Sequence, residues 1–118
     1  MSAAKLNKRL VAVFYKTAAG AEPVREWLKE LSKDDRVRIG GDIQAIEFLW
    51  PEVKAPLVKS LGKGLWEVRV DLANRIARVF FAPVAGNMVL LHRIIKKDQQ
   101  TRKQDIDKAR DRLKEVLK

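Results

Sequence analysis

Residues 65 to 82 constrain the fold more than any other stretch. From Leu65 the chain alternates with a period of two: Trp66, Val68 and Val70 point one way, and Leu65, Glu67, Arg69 and Asp71 point the other. A second strand-like run, Arg75 to Ala82, follows after so few residues that a tight antiparallel hairpin is the only short connection. With Ala73-Asn74 as its loop, Trp66 faces Phe81, Val68 faces Val79 and Val70 faces Ala77, so one side of the hairpin is apolar throughout. A slip of one residue would mix polar groups into that side, which favours this register as a working hypothesis, although Ala73-Asn74 lacks the glycine of a primed turn. The same register sets Arg69 opposite Arg78.

Other elements are arranged around this hairpin. Leu10 to Tyr15 reads as an opening strand, β-branched and aromatic. Pro23 suits a first helical turn, and Val24, Trp27, Leu28 and Leu31 then share one face. Ser32 to Asp35 is a cap-rich break, and Val37, Ile39, Ile43, Ile46, Leu49 and Trp50 form a second helical stripe that Pro51 ends, with Gly40-Gly41 weakening its early part. Pro83 to Asn87 is the next turn, Met88 to Ile95 a nearly continuous apolar strand, and Asp105 to Lys118 a closing helix with Ile106, Ala109, Leu113, Val116 and Leu117 on one face. The predicted order is β-α-α-β-β-β-α: a single α+β domain of 118 residues with an N-terminal strand, a helical hairpin, a three-stranded antiparallel meander and a C-terminal helix.

The chain has no cysteine and one histidine, so disulfides, a thiol nucleophile and a Cys/His metal motif are absent from its repertoire. That composition suits a reducing cytoplasm. No apolar run approaches membrane-spanning length, and the N-terminal stretch lacks the apolar core of a signal peptide. The net charge of +10 favours encounter with polyanions. Its distribution is uneven: counted along the sequence, residues 1–21 carry +4, residues 22–53 carry −3, residues 54–91 carry +4 and residues 92–118 carry +5. The helical hairpin is therefore scaffold more than active surface, and the basic charge gathers on the N-terminal strand, the meander and the tail.

Any catalysis in such a chain runs on cations, since paired carboxylates of the glycosidase type and a Ser-His-Asp constellation are both missing. An Arg69/Arg78 pair requires a neighbouring anion, supplied either by Glu67 and Asp71 or by a bound phosphate. Lys96-Lys97, followed by a loop with Arg102 and Lys103, suits a phosphate backbone, as do Arg93, Lys59 and Lys63, the last two around a flexible basic turn at Gly62 to Gly64. As a bare charge run, such a segment serves solubility. His92 has the pKa of a general acid or base, but it lies between Leu91 and Arg93 on an apolar strand, where a structural role is the commoner one. Trp27, Trp50 and Trp66 sit on apolar stripes and read as core.

The segments Gly64-Leu65-Trp66-Glu67-Val68-Arg69, Arg75-Ile76-Ala77-Arg78-Val79-Phe80-Phe81, and Val89-Leu90-Leu91-His92 with Ile95-Lys96-Lys97 resemble the phage-derived branch of the RelE/HigB toxin superfamily. The resemblance covers nearly the whole chain and rests on the combination of elements. It implies the toxin of a type II toxin-antitoxin pair, an mRNA endonuclease that enters the ribosomal A site and inhibits translation, with an antitoxin partner that often carries a helix-turn-helix domain. It also implies cleavage without metal or other cofactor, by attack of the ribose 2′-hydroxyl on the adjacent phosphate. Carried over by position, Arg78 holds the scissile phosphate, Arg69 positions it, Lys97 neutralises the leaving oxygen and Lys96 is the adjacent basic residue. Ile95 and Lys103 depart from the branch, which usually has Phe and Pro there, and the closing helix lacks a tyrosine that some relatives use; the general acid and base stay unassigned. A non-enzymatic RNA- or DNA-binding module accounts for the same charge.

Overall fold

A computed structural model describes residues 7–53, 55–96 and 103–118. The elements are β1 (Val11–Phe14), α1 (Pro23–Glu30), α2 (Lys33–Leu49), β2 (Val58–Gly62), β3 (Leu65–Leu72), β4 (Arg75–Val84), β5 (Asn87–Lys96) and α3 (Lys103–Val116). They build an α+β fold around a five-stranded sheet of order β1-β5-β4-β3-β2, in which β1 runs parallel to β5 and all other neighbours are antiparallel.

The β3-β4 hairpin has the register that its apolar pattern requires, with Trp66 opposite Phe81, Val68 opposite Val79 and Arg69 opposite Arg78. Asn74, at φ 58°, takes the left-handed position of the turn, a conformation asparagine tolerates better than most residues. The meander has four strands where the sequence predicts three. The segment from Val58 to Gly62 is β2, not part of a turn; it is an edge strand with one buried residue and a register shift between Ser60 and Gly62, so no clean alternation announces it. Its turn to β3 is tight, with Lys63 and Gly64 both at positive φ. Between β4 and β5 the turn narrows to Ala85-Gly86, at φ 50° and 82°, and both strands extend into the stretch expected to be loop.

Two layers of side chains sandwich the sheet. On one side α1 and α2 pack Val24, Ile39, Ile43 and Ile46 against Val68, Val70, Val79 and Phe81. Ser32 caps α2, its Oγ accepting from the Asp35 amide at 3.2 Å, and the helix stops at Trp50-Pro51 as expected. Only part of the anticipated α2 stripe is buried: Val37 and Leu49 are exposed, because the sheet accepts the Ile39, Ile43, Ile46 face and they lie off it. Trp50 meets Trp66 edge-on at 5.0 Å and Phe81 at 5.8 Å, and Trp27 packs on the same core, so all three tryptophans are structural. Buried Glu47 of α2 fixes the edge strand β1: its carboxylate accepts from the Ala12 amide at 2.7 Å and from Lys8 Nζ at 3.1 Å.

On the other side α3 packs Ala109 and Leu113 against Leu65, Phe80, Ala82, Val89 and Leu91. Leu117, expected on that face, is exposed beyond the last turn. Arg112 donates to the Leu91 carbonyl at 2.8 Å and lies over the Tyr15 ring, whose hydroxyl donates to Glu115. Arg110 reaches the Gly62 carbonyl at 3.2 Å, tying α3 to the edge strand β2. No helix among the described residues is long and apolar enough to cross a membrane.

Candidate nucleic-acid interface

Strand alternation places the polar side of the hairpin on the α3 side of the sheet. Two rows of side chains cross the strands there. One runs Lys59, Glu67, Phe80, His92, and the next contains Arg69, Arg78 and Ile94. Helix α3 covers only part of this surface. Past its Ile106 end lies a cleft of about 860 Å³, whose polar lining is Lys59, Ser60, Glu67, Arg69 and Arg78 and whose apolar walls include Pro56, Val58, Leu61 and Ile106. Three different strands thus bring cations to one hollow, with an apolar rim beside them.

The two arginines occupy different depths. Arg78 is at the floor, 2% exposed, and its Nε donates to Glu67 Oε1 at 3.1 Å; Glu67 is 3% exposed. Arg69 stands at the rim with its side chain 34% exposed, and Asp71 lies 4.0 Å away. Cross-strand like charges are unfavourable unless anions intervene, and here the protein's own carboxylates do so. A guanidinium held by a carboxylate is also oriented for a phosphate, since both anions accept from the same fork of donors. Glu67 is the only carboxylate among the described residues lining the cleft.

His92 is buried, and Phe80 separates it from Glu67 in the row. Its Nε2 lies 2.9 Å from Asp105 Oδ1 at the start of α3, and its ring stacks on Phe80 with centroids 5.6 Å apart. Burial pushes its pKa below the usual imidazole value, an effect that the Asp105 hydrogen bond only partly offsets. A β-bulge puts it there: Phe80 pairs with His92 and Phe81 with Leu90, leaving Leu91 as the extra residue. The histidine joins β5 to α3.

The remaining candidate cations are dispersed. Lys59 lies on β2 opposite Glu67, and Lys63 stands exposed in the β2-β3 turn. Lys96 ends β5 opposite Ile76. Lys103 is exposed and bridges to Asp107 at 2.8 Å. Arg93 is on the opposite side of the sheet, paired with core residue Val79 and 5.9 Å from the Trp27 ring, so the fold does not bring it to the cleft. Lys97 and Arg102 lie outside the described residues. Sequence reasoning named Glu67 as a possible anion for the arginine pair, and the structure puts it at the cleft floor; it left out Arg38 and Asp42 of α2, which line a hollow next to Arg69. Nothing local marks Arg38 and Asp42; the packing of α2 against β3 brings them beside Arg69 and Asp71.

The family model for phage-derived protein Gp49-like (DUF891) matches residues 26–114, a span that runs from α1 through most of α3 and contains the whole cleft. The chain belongs to the Gp49-like family. This family is related in general to the RelE toxin superfamily. No curated protein matches the chain. In this Gp49-like protein the matched elements are those that assemble the arginine pair, Glu67 and Lys59.

Proposed function

We propose that this Gp49-like protein is the toxin of a toxin-antitoxin pair, an endoribonuclease that cuts mRNA in the ribosomal A site of the cytoplasm and is held inactive by a cognate antitoxin, often of helix-turn-helix type in such systems. The observation that carries this reading is the cleft where Arg69, Arg78 and Lys59 surround one buried carboxylate. Arg78 and Arg69 would hold the scissile phosphate and stabilise the extra charge of its pentacoordinate state, work suited to planar five-donor groups. Glu67 would take the proton of the ribose 2′-hydroxyl as O2′ attacks phosphorus. The bond to the 5′-oxygen then breaks; Lys97 would neutralise the charge developing on that oxygen, which takes a proton from water, leaving a 2′,3′-cyclic phosphate and a 5′-hydroxyl.

Induced expression with translation and mRNA cleavage followed together tests this. Arg69→Ala, at the exposed rim, is expected to leave the fold intact and to reduce cleavage by about a hundredfold or more, the usual cost of one lost transition-state donor. Full cleavage and toxicity in both Arg69→Ala and Arg78→Ala would overturn the phosphate clamp. Binding of RNA by the wild type without cleavage on ribosomes would favour a non-enzymatic module.

A further inference from the structure

Arg69 also borders a second hollow, of about 340 Å³, which it lines together with Arg38, Asp42, Pro56, Leu57 and Asp71. The two hollows share Arg69 and Pro56, so a strand whose phosphate lies on the arginine pair has a neighbouring nucleotide within reach of this space. Its volume is at the small end of ligand sites, about 300–1,000 Å³. Pro56 and Leu57 give it an apolar wall against which a planar base can lie. Arg38 comes from α2 and Arg69 from β3, offering guanidinium donors, while Asp42 and Asp71 offer carboxylate acceptors from the same two elements.

That combination selects among bases. A guanidinium fork matches two adjacent acceptors, and a carboxylate matches two adjacent donors. Guanine carries both patterns, O6 with N7 and N1–H with N2–H. Adenine and uracil alternate donor and acceptor along their edges, and cytosine has adjacent acceptors at N3 and O2 but no adjacent pair of donor atoms, so each lacks one pattern or both. The carboxylates are also ready to accept. Asp71 is largely exposed and its contact with Arg69 spans 4.0 Å, a pairing weak enough to exchange for a ligand. Burial, with Asp71 adding to it, holds the Asp42 carboxyl above its usual range against the pull of Arg38, and N–H donors from a ligand would relieve that penalty.

We infer that this second hollow is a guanine-reading subsite for the nucleotide beside the scissile phosphate, an inference that rests on the proposed RNA-cutting role for its place in the reaction. Titration calorimetry of the full chain with guanosine 3′,5′-bisphosphate and with adenosine 3′,5′-bisphosphate tests it without any need for cleavage. The guanosine compound is expected to bind about tenfold more tightly, the order of discrimination that a bidentate base contact provides. Asp71→Asn and Arg38→Gln, both at exposed side chains, are expected to bring the guanosine-to-adenosine affinity ratio toward one. Equal affinities in the wild type, no binding of either compound, or a preference that survives both substitutions would overturn the subsite. A chain that prefers guanosine but cuts no mRNA keeps the subsite and loses the nuclease reading; one that cuts without regard to guanine does the reverse.

Discussion

The Arg78–Glu67 pair at the cleft floor is the place where stability and chemistry can be separated by measurement. Both side chains are almost fully buried, 2% and 4% exposed, with 3.1 Å between Nε and Oε1. Arg78→Met leaves the Glu67 carboxylate in a low-dielectric site without that guanidinium, and breaking a buried pair from one side costs about 3–5 kcal/mol. For 118 residues the unfolding entropy is about 0.25 kcal/mol per kelvin, so a loss of about 4 kcal/mol lowers Tm by about 16 °C. Removing both charges in Arg78→Met/Glu67→Leu exchanges the pair for apolar contacts, and such replacements are commonly neutral or stabilising. The double variant is therefore expected within about 1 kcal/mol of the wild type, a coupling of several kcal/mol in a double-mutant cycle. Urea unfolding followed by tryptophan fluorescence reads this out, because Trp50 and Trp66 report on the core. Additive losses in the double variant, or a cost under about 1 kcal/mol for Arg78→Met, would refute the buried-pair reasoning. If the double variant is folded and inert on ribosomes, the loss is chemical; a folded and toxic double variant would refute the role given to both residues.

Two further outcomes concern stability. Burial lowers the His92 pKa in the fold, so as pH falls the unfolded chain binds the extra proton first. Stability is expected to be complete above the ordinary histidine value near 6.5 and to fall as pH drops from there toward the lowered folded value, and His92→Phe should flatten this dependence in urea midpoints measured between pH 8 and 5. Ala85 sits at φ 50° in the β4-β5 turn, a left-handed conformation that costs an alanine roughly 1–2 kcal/mol. Ala85→Asn, which makes an Asn-Gly turn, is expected to raise stability by about 1 kcal/mol, and an unchanged or lower thermal midpoint would count against the turn geometry.

The β3-β4 hairpin was legible residue by residue because period-two alternation and a two-residue loop leave one register with a dry face, and that register by itself set Arg69 against Arg78. The two helices of the hairpin were legible for a similar reason, since Pro23, Ser32 and Pro51 punctuate apolar repeats that local sterics and capping already interpret. Strand β2 was not legible. An edge strand with a bulge and one buried side chain has too little pattern of its own, and it exists because β3 offers it a ladder. Sequence determined which residues are cationic and that the arginines need an anion, but it could not say which anion. Folding chose Glu67 for Arg78, moved Arg93 to the far side of the sheet against Trp27, and brought Arg38 and Asp42 from an acidic scaffold to a second hollow beside Arg69. Those outcomes depend on contacts between residues far apart in the chain, and a local pattern carries no information about partners that only the packed sheet and helices bring within reach.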